Sequence, residues 1–255
     1  MKKKLILITA ILMLLAGLGF LLFPMISNTI GSHISKAQTE KYERRVQNIV
    51  PDKSRKQAVK DGDIPEDDTE TLFKPDLDRL KRDSIAYNKN VRENQATLLS
   101  SEEAYRSPVI NLTDYGIYDG IYAYVSIPSI DMRLPIYLGA NGENMSYGAA
   151  HMTYTSLPLG GKRSNCVLAG HTGYIGRIFF DNIRRLNYGD EVIIRNFWST
   201  LTYKVVGTDV GKPNQSDKVY INDDRDLLTM FTCISNGSGG YDRYYVICER
   251  KTEKK

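Results

Sequence analysis

Apolar and polar positions divide the chain into three unlike stretches. Met1-Lys-Lys-Lys4 precedes an uncharged apolar run from Leu5 to Ile26, 22 residues long. A bilayer-spanning helix needs ~20 such residues. A cleaved signal peptide has an apolar core of ~7–15 residues closed by small residues, and no Ala-x-Ala sequence follows closely here. The run therefore predicts an uncleaved signal anchor. The lysines before it place residues 1–4 in the cytoplasm and everything after residue 26 outside. Residues 27–107 are polar and heavily charged. Within them Ser32–Val50, with Tyr42, Val46 and Val50 at helical spacing, and Asp76–Leu99 predict helices, and the Asp-, Glu- and Lys-rich residues 51–71 predict a loop or disorder. This extension is expected to act as a stalk, or else to lie across a site as a regulatory segment.

From residue 108 to 255 the pattern changes to period two. Ile121-Tyr-Ala-Tyr-Val-Ser-Ile127 alternates, predicting a strand with Ile121, Ala123, Val125 and Ile127 on one face. Met132–Tyr137, Asn165–Ala169, Glu191–Asn196, Leu201–Val210, Leu227–Cys233 and Arg243–Glu249 predict further strands. Pro135 is best tolerated at a sheet edge or a bulge, and Arg177–Arg185 predicts one or two helical turns. Many short strands separated by turn residues predict a mainly β domain, a barrel or a sandwich.

Composition narrows the functional classes. Net charge is +4, with lysine clusters at the two chain ends, Lys2–Lys4 and Lys251–Lys255. No basic face suited to nucleic acid is evident. Cys166, Cys233 and Cys248 have neither a metal-ligand spacing nor a disulfide framework, and at most one pair can bridge. No cofactor or metal is expected.

Candidate chemistry gathers at Cys233. A cysteine at a strand end is compatible with simple core packing, so its company decides. Ser235-Asn-Gly-Ser-Gly-Gly240 follows it, and Arg243 sits in the next strand. Of three histidines, His33 adjoins the apolar run and His151 reads as a structural hydrogen-bonder near Thr153–Ser156. His171, between Gly170 and Gly173, lies at a strand end. A thiol nucleophile, an imidazole that exchanges protons and a cation for a developing oxyanion form a set suited to acyl transfer. Cys166 and Cys248 read as packing residues, as does Trp198 at an expected hairpin. The Asp223-Asp-Arg-Asp226 cluster is expected to face water.

Thr229-Met-Phe-Thr-Cys233 resembles the Thr-Leu-x-Thr-Cys signature of sortases, the membrane-anchored cysteine transpeptidases of Gram-positive bacteria. Ile127-Pro-Ser-Ile130, Leu134-Pro-Ile-Tyr137, Thr155-Ser-Leu-Pro-Leu-Gly-Gly161, Gly170-His171 and Leu186-Asn-Tyr-Gly-Asp190 fit the same family in the same order. The resemblance spans about 120–250 and is closest to the class C, pilin-polymerising type. Three features depart from that class. Ala96–Glu103 lacks the Asp-Pro-aromatic lid, no second apolar span follows the domain, and the residues after Cys233 look more like class B. The resemblance implies an eight-stranded β-barrel with short helices. It implies Cys233 as nucleophile, His171 as acid/base and Arg243 as oxyanion or substrate ligand. The substrates would be pilins or surface proteins bearing a C-terminal Leu-Pro-x-Thr-Gly-like sorting signal, and the acceptor a pilin lysine or the amine of a cell-wall precursor. The enzyme would sit in the cell membrane by a single span, its catalytic domain extracellular. A non-catalytic membrane-tethered binding module and a hydrolase using water as acceptor are the alternatives.

Overall fold

The computed structural model describes residues 2–48, 75–100, 105–174, 176–213, 217–221 and 224–251. The loop expected at 51–71 lies outside the described residues.

Helix α1, Lys2–Asn48, joins the apolar run to the first polar helix without interruption and contains Pro24. Its apolar part is wholly exposed, whereas Gly31, Ser35, Thr39 and Tyr42 are buried against the rest of the molecule. Helix α2, Leu77–Leu98, starts at Asp76, whose carboxylate accepts from the Arg79 N–H at 3.0 Å. Its buried residues, Leu80, Ser84, Asn88, Val91 and Gln95, recur every three or four positions and form the face laid on the barrel. The polar members of that face are paired. Asn88 donates to the Leu157 carbonyl at 3.1 Å and accepts from its N–H at 2.7 Å. Gln95 donates to Val219 O at 3.2 Å and accepts from Ile221 N–H at 2.8 Å, which ties a later loop to the helix end.

The strands are β1 Ile121–Ile127, β2 Met132–Leu138, β3 Ala149–His151, β4 Ser164–Ala169, β5 Glu191–Asn196, β6 Thr200–Gly211, β7 Asp226–Ser235 and β8 Tyr241–Arg250. They close into a barrel in the order β1-β2-β3-β4-β7-β8-β6-β5, as the mainly β expectation had it. β2–β3 and β4–β7 pair in parallel, and the other neighbours are antiparallel. It follows that β1, β4, β6 and β7 all end at one rim, where β2, β3, β5 and β8 begin. Pro135 pairs with Tyr124 of β1, and β3 takes up pairing with β2 only from Ile136 onward, so the imino nitrogen interrupts no ladder on that side. Cys166, Leu168, Leu228, Met230, Val246 and Cys248 point into the main core. Ala150, Val167, Ala169, Phe231 and Tyr245 form a second apolar cluster on the outer wall, joined by Val219 from the β6–β7 connection.

Four local features go beyond or against the sequence reading. The β1 alternation does not separate wet and dry faces, because residues 121–125 are all buried. The two helices cover the outer face: Tyr42 donates its hydroxyl to Tyr122 O at 3.0 Å, and the Tyr122 hydroxyl bonds Ser84 Oγ at 3.0 Å. Of the helix expected over Arg177–Arg185, only the 3₁₀ turn Ile183–Arg185 exists. The adjacent rings of Phe179 and Phe180 are both fully buried, and successive residues on a helix cannot share a face. Asp226 does not face water, because it accepts from Gly161 N–H at 2.7 Å, Tyr203 OH at 3.1 Å and Ser164 Oγ at 3.3 Å. Burial pushes its carboxyl above the ordinary range. Finally, β3 and helix α3, Gly142–Tyr147, were not predicted, since Ala-Ala-His carries little strand signal.

Candidate active site

The outer-wall cluster provides the frame for Cys233. Side chains alternate faces along a strand, and Phe231 of β7 faces outward, so Cys233 two residues later faces outward too. The same step takes outward-facing Ala169 to His171 and, backwards along β8, outward-facing Tyr245 to Arg243. Cys233 is directly opposite Arg243 in the antiparallel ladder, where facing Cβ atoms lie ~5 Å apart. On the other side Ala169 faces Phe231 in the parallel ladder, and Gly170 N–H continues it with a 3.1 Å bond to Phe231 O. Extending that register by two residues sets His171 beside Cys233, one strand spacing of ~4.8 Å away. A thiol thus has an imidazole on one flank and a guanidinium on the other, all on one face of the rim.

Cys233 is the exposed member of the three cysteines, while Cys166 and Cys248 are buried. Burial pushes both buried thiols far above their usual range, which makes them inert packing groups. His171 stacks on Tyr174, ring centroids 5.4 Å apart and planes at 17°. Partial burial pushes its imidazole below the ordinary value, so neutral His171 is favoured, and its protonated form is a stronger acid than a free imidazolium. Arg243 lies over the Phe231 ring, 4.8 Å from its centroid. This contact fixes the guanidinium along the outer wall, towards the apolar cluster.

Several supporting residues carry no chemistry of their own. Thr232 points inward from the site and is buried; its hydroxyl donates to Gly170 O at 2.7 Å and meets the Thr172 hydroxyl at 2.8 Å. The two hydroxyls pin the end of β4 to the end of β7, one residue to either side of His171. Gly170 is required by close approach, since a Cβ there would lie 2.5 Å from the Phe180 ring. Asp181 accepts from Gly173 N–H at 2.7 Å and Phe179 N–H at 2.9 Å, closing the loop behind the imidazole. Beyond Cys233, Asn236 Oδ1 accepts from Ser238 and Gly240 N–H at 3.0 and 3.1 Å, which makes the glycine-rich turn compact. Thr232 was legible in the sequence as part of the motif ending in Cys233. Tyr174, Phe231 as a platform and Asp181 had no signal apart from the fold.

His151 lies away from this set. It is buried, its Nε2 is 3.1 Å from Ser156 O and 3.2 Å from Thr155 Oγ1, and burial pushes its pKa down to about 4. That is the structural role expected of it. Among the described residues no group of three or more His, Cys, Asp or Glu side chains stands where it could hold a metal ion.

Residues 125–251 match the family model described as the sortase domain. Comparison with curated protein sequences returns no match. Among solved structures the chain is similar to sortase C-1 from Actinomyces oris, with 31% identity and a TM-score of 0.58 over 69% of this chain and 99% of that one. It is also similar to sortase C1 of Streptococcus agalactiae in its complex with MTSET, with 26% identity and a TM-score of 0.59 over 71% and 92%. A third is sortase C from Clostridium perfringens SM101, with 25% identity and a TM-score of 0.59 over 85% and 99%.

Proposed function

The chain belongs to the sortase family of cysteine transpeptidases, and from that premise we propose that Cys233, His171 and Arg243 carry out acyl transfer from a Leu-Pro-x-Thr-Gly-like sorting signal to a pilin lysine. The observation that supports this most is the exposed Cys233 between His171 and Arg243 on adjoining strand ends.

The steps follow from those positions. Neutral His171 takes the Cys233 thiol proton as the sulfur attacks the carbonyl carbon of the Thr–Gly peptide, forming a C–S bond and a tetrahedral oxyanion. Arg243, with its fork of donors beside the thiol, faces that oxygen or a neighbouring substrate carbonyl. His171 then protonates the departing glycine amine as the C–N bond breaks, leaving a thioester on Cys233. Its depressed pKa favours this release, because a stronger acid yields its proton more readily. The incoming lysine amine loses a proton to neutral His171 as it attacks the thioester, which expels the Cys233 thiolate and forms an isopeptide bond.

The same chemistry with a cell-wall amine as acceptor would give single anchored products. Incubation of the purified extracellular part with a pilin bearing the sorting signal separates the two. The proposal expects a covalent ladder that is absent with Cys233→Ala, and a single conjugate with no ladder would replace polymerisation by anchoring. A membrane location, with α1 as a single span and the barrel outside, belongs to the same reading: the apolar part of α1 is exposed and long enough to cross a bilayer.

A further inference from the structure

We propose that the rim carrying Cys233 faces the bilayer crossed by α1, with Tyr174 and the segment Gly176–Ile178 resting in the lipid headgroup layer. This inference builds on the reading of α1 as a membrane span. Strand directions place the ends of β4 and β7, and with them His171 and Cys233, at the same rim as the β1–β2 turn. α1 meets the barrel at that rim, where Lys36 pairs with Asp131 at 3.0 Å. It then climbs the wall, so that Glu43 reaches Arg133 at 3.5 Å and Arg45 reaches Asp119 just before β1. In the other direction α1 descends to Ile26 without leaving the helix. Ten residues separate Ile26 from Lys36, so the rim stands ~15 Å above the end of the apolar run.

The loop behind His171 fills that gap. A Cβ on Gly31 would lie 2.2 Å from Gly176 O and 3.1 Å from the Arg177 Cα, so helix and loop touch backbone to backbone. One turn lower, Ser27 Oγ is 2.7 Å from where a Gly176 Cβ would be. Ser27 and Gly31 stand ~1.5–7.5 Å beyond Ile26 along the helix. A headgroup layer is ~5–7 Å deep on each side of the hydrocarbon. The loop therefore lies at headgroup depth. Its exposed side chains suit that depth: Tyr174 is 41% exposed and Ile178 36%, and tyrosine, apolar in the ring and polar at the tip, prefers the interface. Tyr174 also stacks on His171, so the residue at the lipid surface touches the imidazole of the active site.

The test reads position and needs no turnover, so it can fail while Cys233 still acylates, and the reverse. The full chain is reconstituted in phosphatidylcholine vesicles with and without lipids brominated near the glycerol end of the acyl chain. Two reporters are compared in a Trp198→Phe background: Tyr174→Trp in the loop and Tyr118→Trp near the opposite rim, where Tyr118 is 80% exposed. The expected result is strong loss of indole emission in the Tyr174→Trp chain and unchanged emission in the Tyr118→Trp chain. If Trp198→Phe disturbs its hairpin, Tyr174→Trp with Trp198 retained reads the same thing as a quenchable fraction over an unquenched remainder. A further chain with seven helical residues inserted between Ile26 and Ser27 lifts the rim by ~10 Å and should abolish the quenching. No quenching of the reporter at position 174, or equal quenching of the reporters at positions 174 and 118, overturns the proposal.

Discussion

Each member of the candidate triad depends on a neighbour that does no chemistry. Arg243 is held by the Phe231 ring and His171 by the ring of Tyr174. The strand ends that carry Cys233 and His171 are joined by the buried Thr232 hydroxyl on Gly170 O. Thr232→Val keeps the side-chain shape but leaves that carbonyl without its partner, a cost of ~1–3 kcal/mol. If much of this appears as misplacement of His171, kcat/KM falls roughly ten- to a hundredfold, and Thr232→Ser restores most of it. Steady-state kinetics on a sorting-signal peptide checks this, and an unchanged kcat/KM in the valine variant would remove Thr232 as a positioning residue. The candidate residues Cys233, His171 and Arg243 stood out in the sequence through ordered motifs, and the strand register brings them to one rim. Phe231 and Tyr174 were not, since an aromatic residue in a strand or loop shows its ring partner only once the strands are paired.

At the scale of elements, the strands were largely legible from period-two patterning, and the exceptions have physical causes. β3 is three residues long and is held by its neighbours rather than by propensity. The outer face of β1 carries Tyr122 and Tyr124, and both are covered by helices distant in the chain, which the alternation alone does not show. Helix α2 was readable as a helix, but not the contact it makes, because Asn88 and Gln95 look like surface residues until their backbone partners are known. Asn88 satisfies both polar groups of Leu157. Asn88→Ala leaves the two buried groups unpaired and should lower the unfolding free energy by ~2–4 kcal/mol. Urea denaturation of the chain lacking the apolar run 5–26 measures it, and a loss below ~0.5 kcal/mol would show that the Asn88 contact contributes little there.

For the whole molecule, stability should depend on pH through His151. Burial lowers its pKa from 6.5 to about 4 in the folded chain, so the unfolded chain binds its proton first. The associated stability is fully present above pH ~6.5 and is lost as pH falls towards ~4, reaching ~3 kcal/mol at the low end. Asp226, whose carboxyl is raised by burial, acts in the opposite sense in the acid range. The difference between wild type and His151→Gln isolates the histidine. Wild type should lose stability more steeply on acidification, and parallel curves would refute the assignment. The barrel rim, helix α1 and the backbone at Gly176 and Arg177 pack together beside the imidazole-bearing strand end, and no single motif announced that arrangement.

The central claim is that Cys233 becomes the acyl carrier, with His171 releasing the amine. Intact-mass spectrometry of the chain lacking the apolar run 5–26, mixed with a Leu-Pro-x-Thr-Gly peptide and quenched in acid, tests it directly. The predicted result is an adduct equal to the peptide's acyl portion, mapped to Cys233, discharged by an added amine, absent in Cys233→Ala and strongly reduced in His171→Ala. An adduct on Cys166 or Cys248, or none on folded protein that a methanethiosulfonate labels at Cys233, would contradict it.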